Sequence, residues 1–439
     1  MWQVRTHSRP PVLASRATGL ALLTATALTA ALLPATTASA AGSTGQTSDR
    51  HVTYEQWTTN KQFARGTFQG TRAMAGSLAI SSPVARFTYR DPHGKPTKTY
   101  DLGRWISPWR TPGYAFTEMV PSWNARTPRD SWVQIQVRGR SESGRLSRWY
   151  TMGRWAGHDR QFRRTSVPNQ SDALGYVSVD TLKAKAGVGF TSWQTRVTLL
   201  RRAGKAFSPK VDTVGAMTSR LPASTTVPTS KPGVASGHAP LDVPRYSQMV
   251  HRGHYPQFGN GGEAWCSPTS VSMVLGHYGR LPTAKQYAWV GGGHADPFVD
   301  HAARSTYDYS YRGAGNWAFS TAYAGTRTYH SFVTRLRDLT EAEQFIRAGI
   351  PVVASVKFGR GQLSGAPISA TNGHLLVIVG FTANGDVVVN DPAAPSNGSV
   401  RRTYDRAQFE NAWVPKSGGL AYIIRDEAHP LPRPLATNW

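Results

Sequence analysis

The sequence predicts a two-domain protein in which an all-β domain precedes an α+β domain. Its 439 residues are enough for two domains, and the charge divides near the middle of the chain. Residues 41–235 hold 29 Lys or Arg against 11 Asp or Glu, whereas residues 236–439 hold 18 against 14. Residues 219–240, rich in Pro, Ser and Thr, are typical of a linker between the halves.

Residues 1–40 have the pattern of a secretory signal peptide. Arg5, Arg9 and Arg16 precede an apolar run at residues 19–33, and Ala38-Ser39-Ala40 offers small side chains for cleavage. No other stretch approaches the roughly 18 apolar residues of a membrane helix. We therefore expect a secreted protein, free outside the cell or associated with its wall, without a transmembrane segment after signal removal.

Residues 41–218 are expected to form the all-β domain. Alternating or β-branched runs recur between Gly-rich and Pro-rich turns, at residues 85–89, 132–137 and 194–200. Residues 100–105 and 150–155 also resemble each other, which suggests two similar strand–turn units. Many short strands with frequent turns are typical of a β-sandwich.

Tryptophan and arginine alternate in this first half, as in residues 105–110 and 145–150. We predict that most of the tryptophans fill the sandwich core. The alternative is a surface that binds an anionic wall polymer or a polysaccharide through stacking and charge. A nucleic acid is not an expected partner, since no reader motif is present and the protein is expected outside the cell.

Cys266 is the only cysteine of the chain, so no disulfide can form within it. An unpaired cysteine in a secreted protein is either a buried apolar side chain or a reactive thiol. Apolar residues recur after it at helical spacing: Val271, Val274, Leu275 and Tyr278. Pro268 suits the first turn of such a helix and Gly279 its end. Cys266 would lie at the helix N-terminus, where free N–H groups and the helix dipole favour a thiolate.

His374 begins an apolar run, and residues 383–386 have the composition of a hairpin turn. A second apolar run then ends in Asn390 and Asp391. An antiparallel hairpin would bring His374 and Asp391 together, which predicts a thiolate nucleophile, an imidazole base and an orienting carboxylate. Asn390 is the alternative to Asp391 as the orienting residue.

The order of Gln248, residues 266–270, Gly373-His374 and residues 390–392 resembles that of secreted peptidases similar to the bacteriocin-leader (double-glycine) cysteine peptidases. The resemblance covers about residues 240–425 and implies a papain-like fold. It implies that Cys266 is the nucleophile, His374 the base and Asp391 the third member of the triad. Gln248 stands where the family places the oxyanion-hole glutamine. Ser267 departs from the glycine that many relatives have there.

The first half also resembles amino-terminal regions found beside such domains in actinobacterial secreted proteins. The leader peptidases act beside a transporter, and this chain has no transporter domain, so leader specificity is not implied.

Other polar residues in the second half are weaker candidates. Glu263 either positions substrate or solvates a loop, and the aromatic run at residues 307–319 either lines a groove or packs between lobes. Four residues are candidate metal ligands: His294, Asp296, Asp300 and His301. Their spacing matches no strong zinc signature, so neither a metal nor a cofactor is predicted.

The second domain is expected at residues 241–430, followed by a tail at 431–439. Helices are predicted at residues 340–349 and 405–413, with strands at 351–358 and 420–424. The leading hypothesis is a cysteine hydrolase that cleaves peptide or isopeptide bonds through a thioacyl-enzyme. The alternatives are a cell-wall amidase or endopeptidase of the NlpC type, and a non-catalytic wall-binding protein.

Overall fold

The first half of the chain folds into antiparallel sheets. The computed structural model describes residues 49–439, so the predicted signal peptide lies outside the described residues. The elements of this half are β1 (His51–Trp57), α1 (Asn60–Phe63), β2 (Thr67–Gln69), β3 (Thr71–Met74), β4 (Ser77–Ile80), β5 (Ala85–Tyr89), β6 (Lys98–Ile106), β7 (Glu118–Arg126), β8 (Ser131–Ser141), β9 (Tyr150–Trp155), β10 (Gly175–Ser178), β11 (Thr181–Ala184), β12 (Phe190–Arg202) and β13 (Lys210–Arg220).

Two sheets make up this domain. One has the order β10-β11-β7-β13-β4-β3, with β1 also paired to β13. The other has the order β2-β6-β12-β8-β9, with β5 also paired to β6. The long pairings β7–β13 and β8–β12 are antiparallel. The predicted β-rich first domain is therefore present.

Tryptophan side chains fill the space between these two sheets. The fully buried members of this core are Trp57, Trp105, Trp123, Trp155 and Trp193. Trp57 meets Trp105 and Trp193 edge-on, at centroid distances of 5.4 and 5.6 Å. Each such aromatic pair stabilises the fold by about 0.5–1.5 kcal/mol beyond its buried area. The prediction that most tryptophans are core residues is confirmed.

The second half adds a third sheet and most of the helices. Its elements are α2 (Cys266–His277), α3 (Ala284–Tyr287), α4 (Pro297–Thr306), α5 (Trp317–Thr328), β14 (His330–Arg335), α6 (Leu339–Arg347), β15 (Val352–Phe358), β16 (Thr371–Phe381), β17 (Val387–Asn390), β18 (Arg401–Tyr404), α7 (Arg406–Ser417) and β19 (Leu420–Arg425). The sheet order is β14-β19-β15-β16-β17-β18, with α2 packed on β16 and α7 on β15. Among the described residues, none of the helices has the length and apolar character needed to cross a bilayer.

Local signals in the sequence correspond to these elements. Asp338 caps α6 by accepting a hydrogen bond from the Glu341 N–H, and Asp405 caps α7 in the same way. Side-chain caps of this kind stabilise a helix by about 1 kcal/mol. The turn at residues 382–386 joins β16 to β17 as an antiparallel hairpin.

The two halves do not have separate hydrophobic cores. Ala318, Phe319 and Ala322 of α5 belong to the core between the first two sheets. Conversely, Val120 and Met217 of the first half belong to the core of the second. The described residues, 49–439, accordingly belong to one compact unit. The sequence had suggested domains joined by a linker, and it carried no sign of shared cores.

Strand β14, at the edge of the third sheet, is covered by polar side chains of β7. Asn124 donates to the Ser331 carbonyl at 2.8 Å and accepts from the Ser331 N–H at 3.0 Å. The Ser122 hydroxyl accepts from the Val333 N–H at 2.9 Å. An edge strand exposes unpaired backbone groups, and here the first domain pairs them.

The segment predicted as a linker lies against the second domain. Strand β13 continues to Arg220, and residues 221–240 then form neither helix nor strand apart from one bridge between Ser236 and Phe381. The buried Glu343 carboxylate accepts from the N–H groups of Gly233 and Ala235, at 2.9 and 2.8 Å. The composition of this segment predicts a linker, because composition does not show that a carboxylate more than 100 residues away binds it.

The predicted tail at residues 431–439 also packs. The Thr437 carbonyl accepts from the Tyr54 N–H at 2.8 Å. The Trp439 ring lies 4.8 Å from the Phe345 ring, on α6. These residues therefore bind β1 of the first domain and α6 of the second.

Replacing Asn124 by Ala is expected to destabilise the whole described unit by about 2–4 kcal/mol, because two buried backbone groups of Ser331 lose their partners. Thermal unfolding followed by circular dichroism should show one transition at a lower temperature. Asn384→Ala, at an exposed turn position, is the matched control and should change stability by less than about 0.5 kcal/mol. Two separate transitions, or equal effects of the two substitutions, would contradict this account of the interface.

Candidate active site

Cys266 is the first residue of α2 and is half-buried. Trp265, at the N-cap, makes no side-chain capping hydrogen bond, so the first-turn N–H groups are not taken by a cap. The Ser267 N–H helps to lower the pKa of the Cys266 thiol, and Pro268 has no N–H to satisfy. The helix start therefore offers its positive end to the thiol.

His374 lies on β16 and is buried. Its Nε2 lies 2.7 Å from Oδ1 of Asp391, the residue that follows β17. His374 and Cys266 line the same groove, and His374 lowers the pKa of the Cys266 thiol. Because Nε2 is held by Asp391, Nδ1 is the nitrogen left for the thiol. The structure thus brings Cys266, His374 and Asp391 together in one line of contacts.

The charges of these three groups support one another. Burial raises the pKa of the Cys266 thiol, but the hydrogen bond and charge of His374 outweigh burial and hold that pKa below its ordinary value of 9.0. Burial opposes protonation of His374, but Asp391 and Cys266 raise its pKa above the ordinary 6.5. His374 likewise lowers the pKa of the buried Asp391 carboxyl. At a pH between the lowered pKa of Cys266 and the raised pKa of His374, the favoured state is a thiolate beside an imidazolium.

Asp391 is held by two further donors. The Tyr404 hydroxyl donates to its Oδ2 at 2.7 Å, and the Ala393 N–H donates to its Oδ1 at 3.0 Å. Asp391 is fully buried, so these bonds satisfy a carboxylate that has no access to water. Tyr404 lies on β18, which pairs with β17.

Helix α2 is tied to β16 at the level of the site. The Ser270 hydroxyl, one turn after Cys266, donates to the Leu375 carbonyl at 3.1 Å. Because Leu375 follows His374 directly, this bond holds α2 beside the part of β16 that carries His374.

Gln248 lies at the start of a 3-10 turn, Gln248–His251, and is buried. Its N–H donates to the Pro392 carbonyl at 2.8 Å, which ties this turn to the residue after Asp391. One hydrogen of its Nε2 goes to the Glu263 carbonyl at 2.8 Å. Gln248 lines the same groove as Cys266, and within the described residues Nε2 has no second acceptor and Oε1 has no partner.

Asn390 does not contact His374. Its Nδ2 donates to the carbonyls of Val243 and Pro244, at 3.2 and 3.1 Å, and its Oδ1 accepts from Arg401. Consecutive strand residues point to opposite faces, so only one of Asn390 and Asp391 can reach the histidine. Asp391 is that residue.

The Ser267 side chain points away from the groove. Its hydroxyl is buried and lies 2.9 Å from the Ser320 hydroxyl and 3.1 Å from the Tyr422 hydroxyl. The departure from glycine at this position therefore places no side chain in the path of a substrate.

Comparison with known families agrees with this geometry. The model of the Peptidase_C39 like family matches residues 240–420. The model of the Peptidase C39 N-terminal domain matches residues 53–219. The resemblance of both halves to this peptidase family is thus confirmed, and the second half is a C39-like domain of the cysteine peptidase kind.

Other comparisons add little. No curated protein matches the chain. Among solved structures, the chain is similar to a carbohydrate-binding module from the β-sandwich superfamily, with 11% identity and a TM-score of 0.16. That match covers 39% of this chain and 57% of the other. A TM-score so low carries no argument about fold or ligand.

The groove of about 990 Å³ above Cys266 is lined by both domains. The C39-like domain contributes Cys266 and His374, and the first domain contributes the turn between β10 and β11. In that turn, Asp180 accepts from the Trp317 N–H at 2.6 Å and so caps α5. Burial raises the pKa of Asp180 to about 6. The sequence did not predict that the first domain lines the groove, because nothing near residue 180 indicates a position close to Cys266.

The other residues that the sequence offered as weaker candidates lie in different surroundings. The Glu263 side chain accepts from Arg252 and the Gly253 N–H, as a loop residue would, while its carbonyl holds Gln248. In the 307–319 run, Tyr311 and Trp317 line the groove, whereas Phe319 is buried. His301 lines a different cavity from Cys266.

Cys266 is expected to react with iodoacetamide at pH 6 at least about tenfold faster than a free cysteine thiol, whose pKa is about 8.5. The folded pKa lies below the ordinary value, so labelling rises through a lower pH than that of a free thiol and then levels off. Asp391→Asn, which leaves His374 less basic, should slow labelling at pH 6 more than Asn390→Ala does. Mass spectrometry of folded protein, well below its melting temperature, measures both rates. Labelling of the wild type at the rate of a free thiol, or the reverse ranking of the variants, would refute the assigned contacts.

Proposed function

We propose that the protein is a secreted cysteine peptidase that hydrolyses peptide or isopeptide amide bonds through a thioacyl-enzyme. The observation that carries this proposal is the contact line from Cys266 through His374 to Asp391. The papain-like arrangement of these residues, with the nucleophile on a helix and the base on a neighbouring strand, is part of the proposal. Secretion is proposed from residues 1–40 of the sequence.

In the first step, His374 takes the thiol proton and the Cys266 thiolate attacks the amide carbonyl carbon. The carbonyl oxygen becomes an oxyanion, which accepts hydrogen bonds from the free Nε2–H of Gln248 and the Cys266 N–H. When the C–N bond breaks, His374 gives its proton to the departing amine. An acyl group is then left on the sulfur.

In the second step, His374 takes a proton from water, and the resulting hydroxide attacks the thioester carbonyl. The oxyanion forms again at the same donors, the C–S bond breaks and the acid product leaves. Cys266 returns as a thiolate beside protonated His374. Asp391 remains ionised throughout and holds the imidazole in the orientation that both steps need.

Digestion of a peptide library and of peptidoglycan tests the proposal. We expect cleavage by the wild type and none by Cys266→Ala. Gln248→Ala should lower kcat about 10²–10³-fold, as loss of an oxyanion donor does elsewhere. Glu263→Gln is the matched control, since it keeps the carbonyl that holds Gln248 and should leave kcat within about threefold of the wild type. Cleavage by Cys266→Ala at the wild-type rate would exclude this chemistry, and fragments from peptidoglycan alone would favour the NlpC-type alternative.

A second proposal concerns the partner of the first domain: one outer face of it binds an anionic polymer. Arg138 stacks over Trp149 and Trp109, at 4.5 and 5.2 Å from the ring centroids. Arg196 also stacks over Trp149, at 4.5 Å, and Arg140 over Trp109, at 4.8 Å. We call this set the Arg–Trp face. For the tryptophans of this face, which lie outside the core, binding of a polysaccharide or an anionic polymer is the proposed role.

The Arg–Trp face is rigid and positively charged. Gln194 accepts from Arg138, and Gln136 accepts from Arg196, so neutral amides fix both guanidinium groups. Within the described residues, no carboxylate lies at ion-pair distance from Arg138, Arg140 or Arg196. Burial, and then the charge of neighbouring arginines, lowers the pKa of Arg138 and Arg196. Uncompensated cations beside aromatic faces favour an anionic polymer with sugar rings.

Heparin serves as a probe of the Arg–Trp face in the full chain. Arg138→Gln with Arg196→Gln should weaken heparin affinity about tenfold, since each cation contributes about 0.5–1 kcal/mol. Arg280→Gln with Arg433→Gln removes the same charge from exposed positions elsewhere and is the matched control. Titration at several salt concentrations measures both. Equal weakening by the two pairs would indicate that net charge alone, and not this face, retains the polymer.

A further inference from the structure

Two histidines and an aspartate meet beside the turn that carries Gln248. His251 ends that turn, His254 follows three residues later, and Asp300 comes from α4. One potential ligand atom from each lies within 4.8 Å of the other two. His251 Nδ1 lies 3.0 Å from Asp300 Oδ2, and His254 Nδ1 lies 3.1 Å from Asp300 Oδ1. Each oxygen of one carboxylate thus faces a different imidazole.

This cluster is buried and incompletely hydrogen-bonded. His251 and Asp300 are fully buried, and the His254 side chain is 19% exposed. Among the described residues, neither ring nitrogen of His251 has a hydrogen-bond partner of acceptable geometry, nor does Asp300 Oδ2. Polar atoms inside proteins are almost always partnered, because an unpartnered one costs about 1–3 kcal/mol. A fully buried imidazole facing a carboxylate without a hydrogen bond therefore indicates a missing ligand between them.

We propose that His251, His254 and Asp300 bind one divalent cation of the zinc type. Imidazole nitrogen with carboxylate oxygen is a donor set that zinc takes in proteins. With bonds of about 2.0–2.2 Å, neighbouring donor atoms of a tetrahedral site lie about 3.4 Å apart. The nitrogen–oxygen separations are 3.0 and 3.1 Å, each to a different oxygen of Asp300, and one ligand atom from each residue lies within 4.8 Å of the others.

His294 lies beside the cluster, outside the three residues whose ligand atoms are within 4.8 Å of one another. The His294 ring lies 4.0 Å from the His254 ring and is half-buried, in the loop before α4. This imidazole or a water molecule completes a four-coordinate site. The sequence predicted no metal, because the spacing of His294, Asp296, Asp300 and His301 matches no zinc signature. His251 and His254 were not among those candidates, and Asp300 lies 46 residues from His254.

The cation would act on the fold of the site and not on the reacting atoms. It joins the loop that runs from Gln248 to Glu263 to helix α4. The two ends of this loop form the bond between Gln248 Nε2 and the Glu263 carbonyl. Fixing the loop thus fixes the donor proposed for the oxyanion, while Cys266 and His374 keep their own contacts.

Zinc binding to the full mature chain, stripped of metal by a chelator, tests the site. We expect one equivalent of Zn²⁺ per chain by elemental analysis and calorimetry, and a melting temperature that rises with Zn²⁺ concentration. Co²⁺ in its place should give the visible absorption of a four-coordinate nitrogen–oxygen site.

His254→Ala and Asp300→Asn should weaken Zn²⁺ binding more than about 100-fold, since even the partners of ligands are worth 10–100-fold. His301→Ala, the next residue on α4, removes an imidazole outside the cluster and should bind Zn²⁺ like the wild type. His254 is partly exposed, so its variant answers the question even if Asp300→Asn does not fold. No uptake by the wild type at millimolar Zn²⁺, or equal uptake by His254→Ala, would show a hydrogen-bonded His–Asp–His cluster without a metal and would overturn the proposal.

Discussion

The buried Asp391 carboxylate is the constraint on which the candidate site depends. A fully buried negative charge is stable only with partners, and Asp391 has three: His374, the Tyr404 hydroxyl and the Ala393 N–H. These partners come from β16, β18 and the loop after β17, so the sheet must form before the carboxylate can be satisfied. Asp391 also raises the pKa of His374, and this favours a protonated imidazole beside a Cys266 thiolate.

Helix α2 and the turn that carries Gln248 are each tied by a hydrogen bond to a residue next to His374 or Asp391. Ser270 ties the nucleophile helix to Leu375, beside His374. The Gln248 N–H is tied to the Pro392 carbonyl, one residue after Asp391. The proposed nucleophile, base and oxyanion donor are therefore all held by β16 and the residues that follow β17. Such short chains of bonds keep reacting groups within the tolerance that catalysis requires.

Much of the site is local in sequence and could be predicted. Residues 383–386 form a hairpin turn, and an antiparallel hairpin necessarily brings His374 toward residues 390–391. Pro268 and Gly279 bracket a helix whose first residue is Cys266. Tyr404 and Ser270 carry no local signal, since each acts through a partner on another element. The choice of Asp391 over Asn390 came from family resemblance, and the strand faces give its physical reason.

For the fold as well, the local elements could be predicted from the sequence and the long-range packing could not. Strand runs and helix caps near Asp338 and Asp405 are local, whereas the shared cores depend on α5 meeting β7 far along the chain. The turn between β10 and β11, which walls the groove, belongs to this long-range part. Substrate choice can then diverge through residues 178–183 while Cys266, His374 and Asp391 stay unchanged. Because the two halves share their cores, the second half is not expected to fold around this groove without the first.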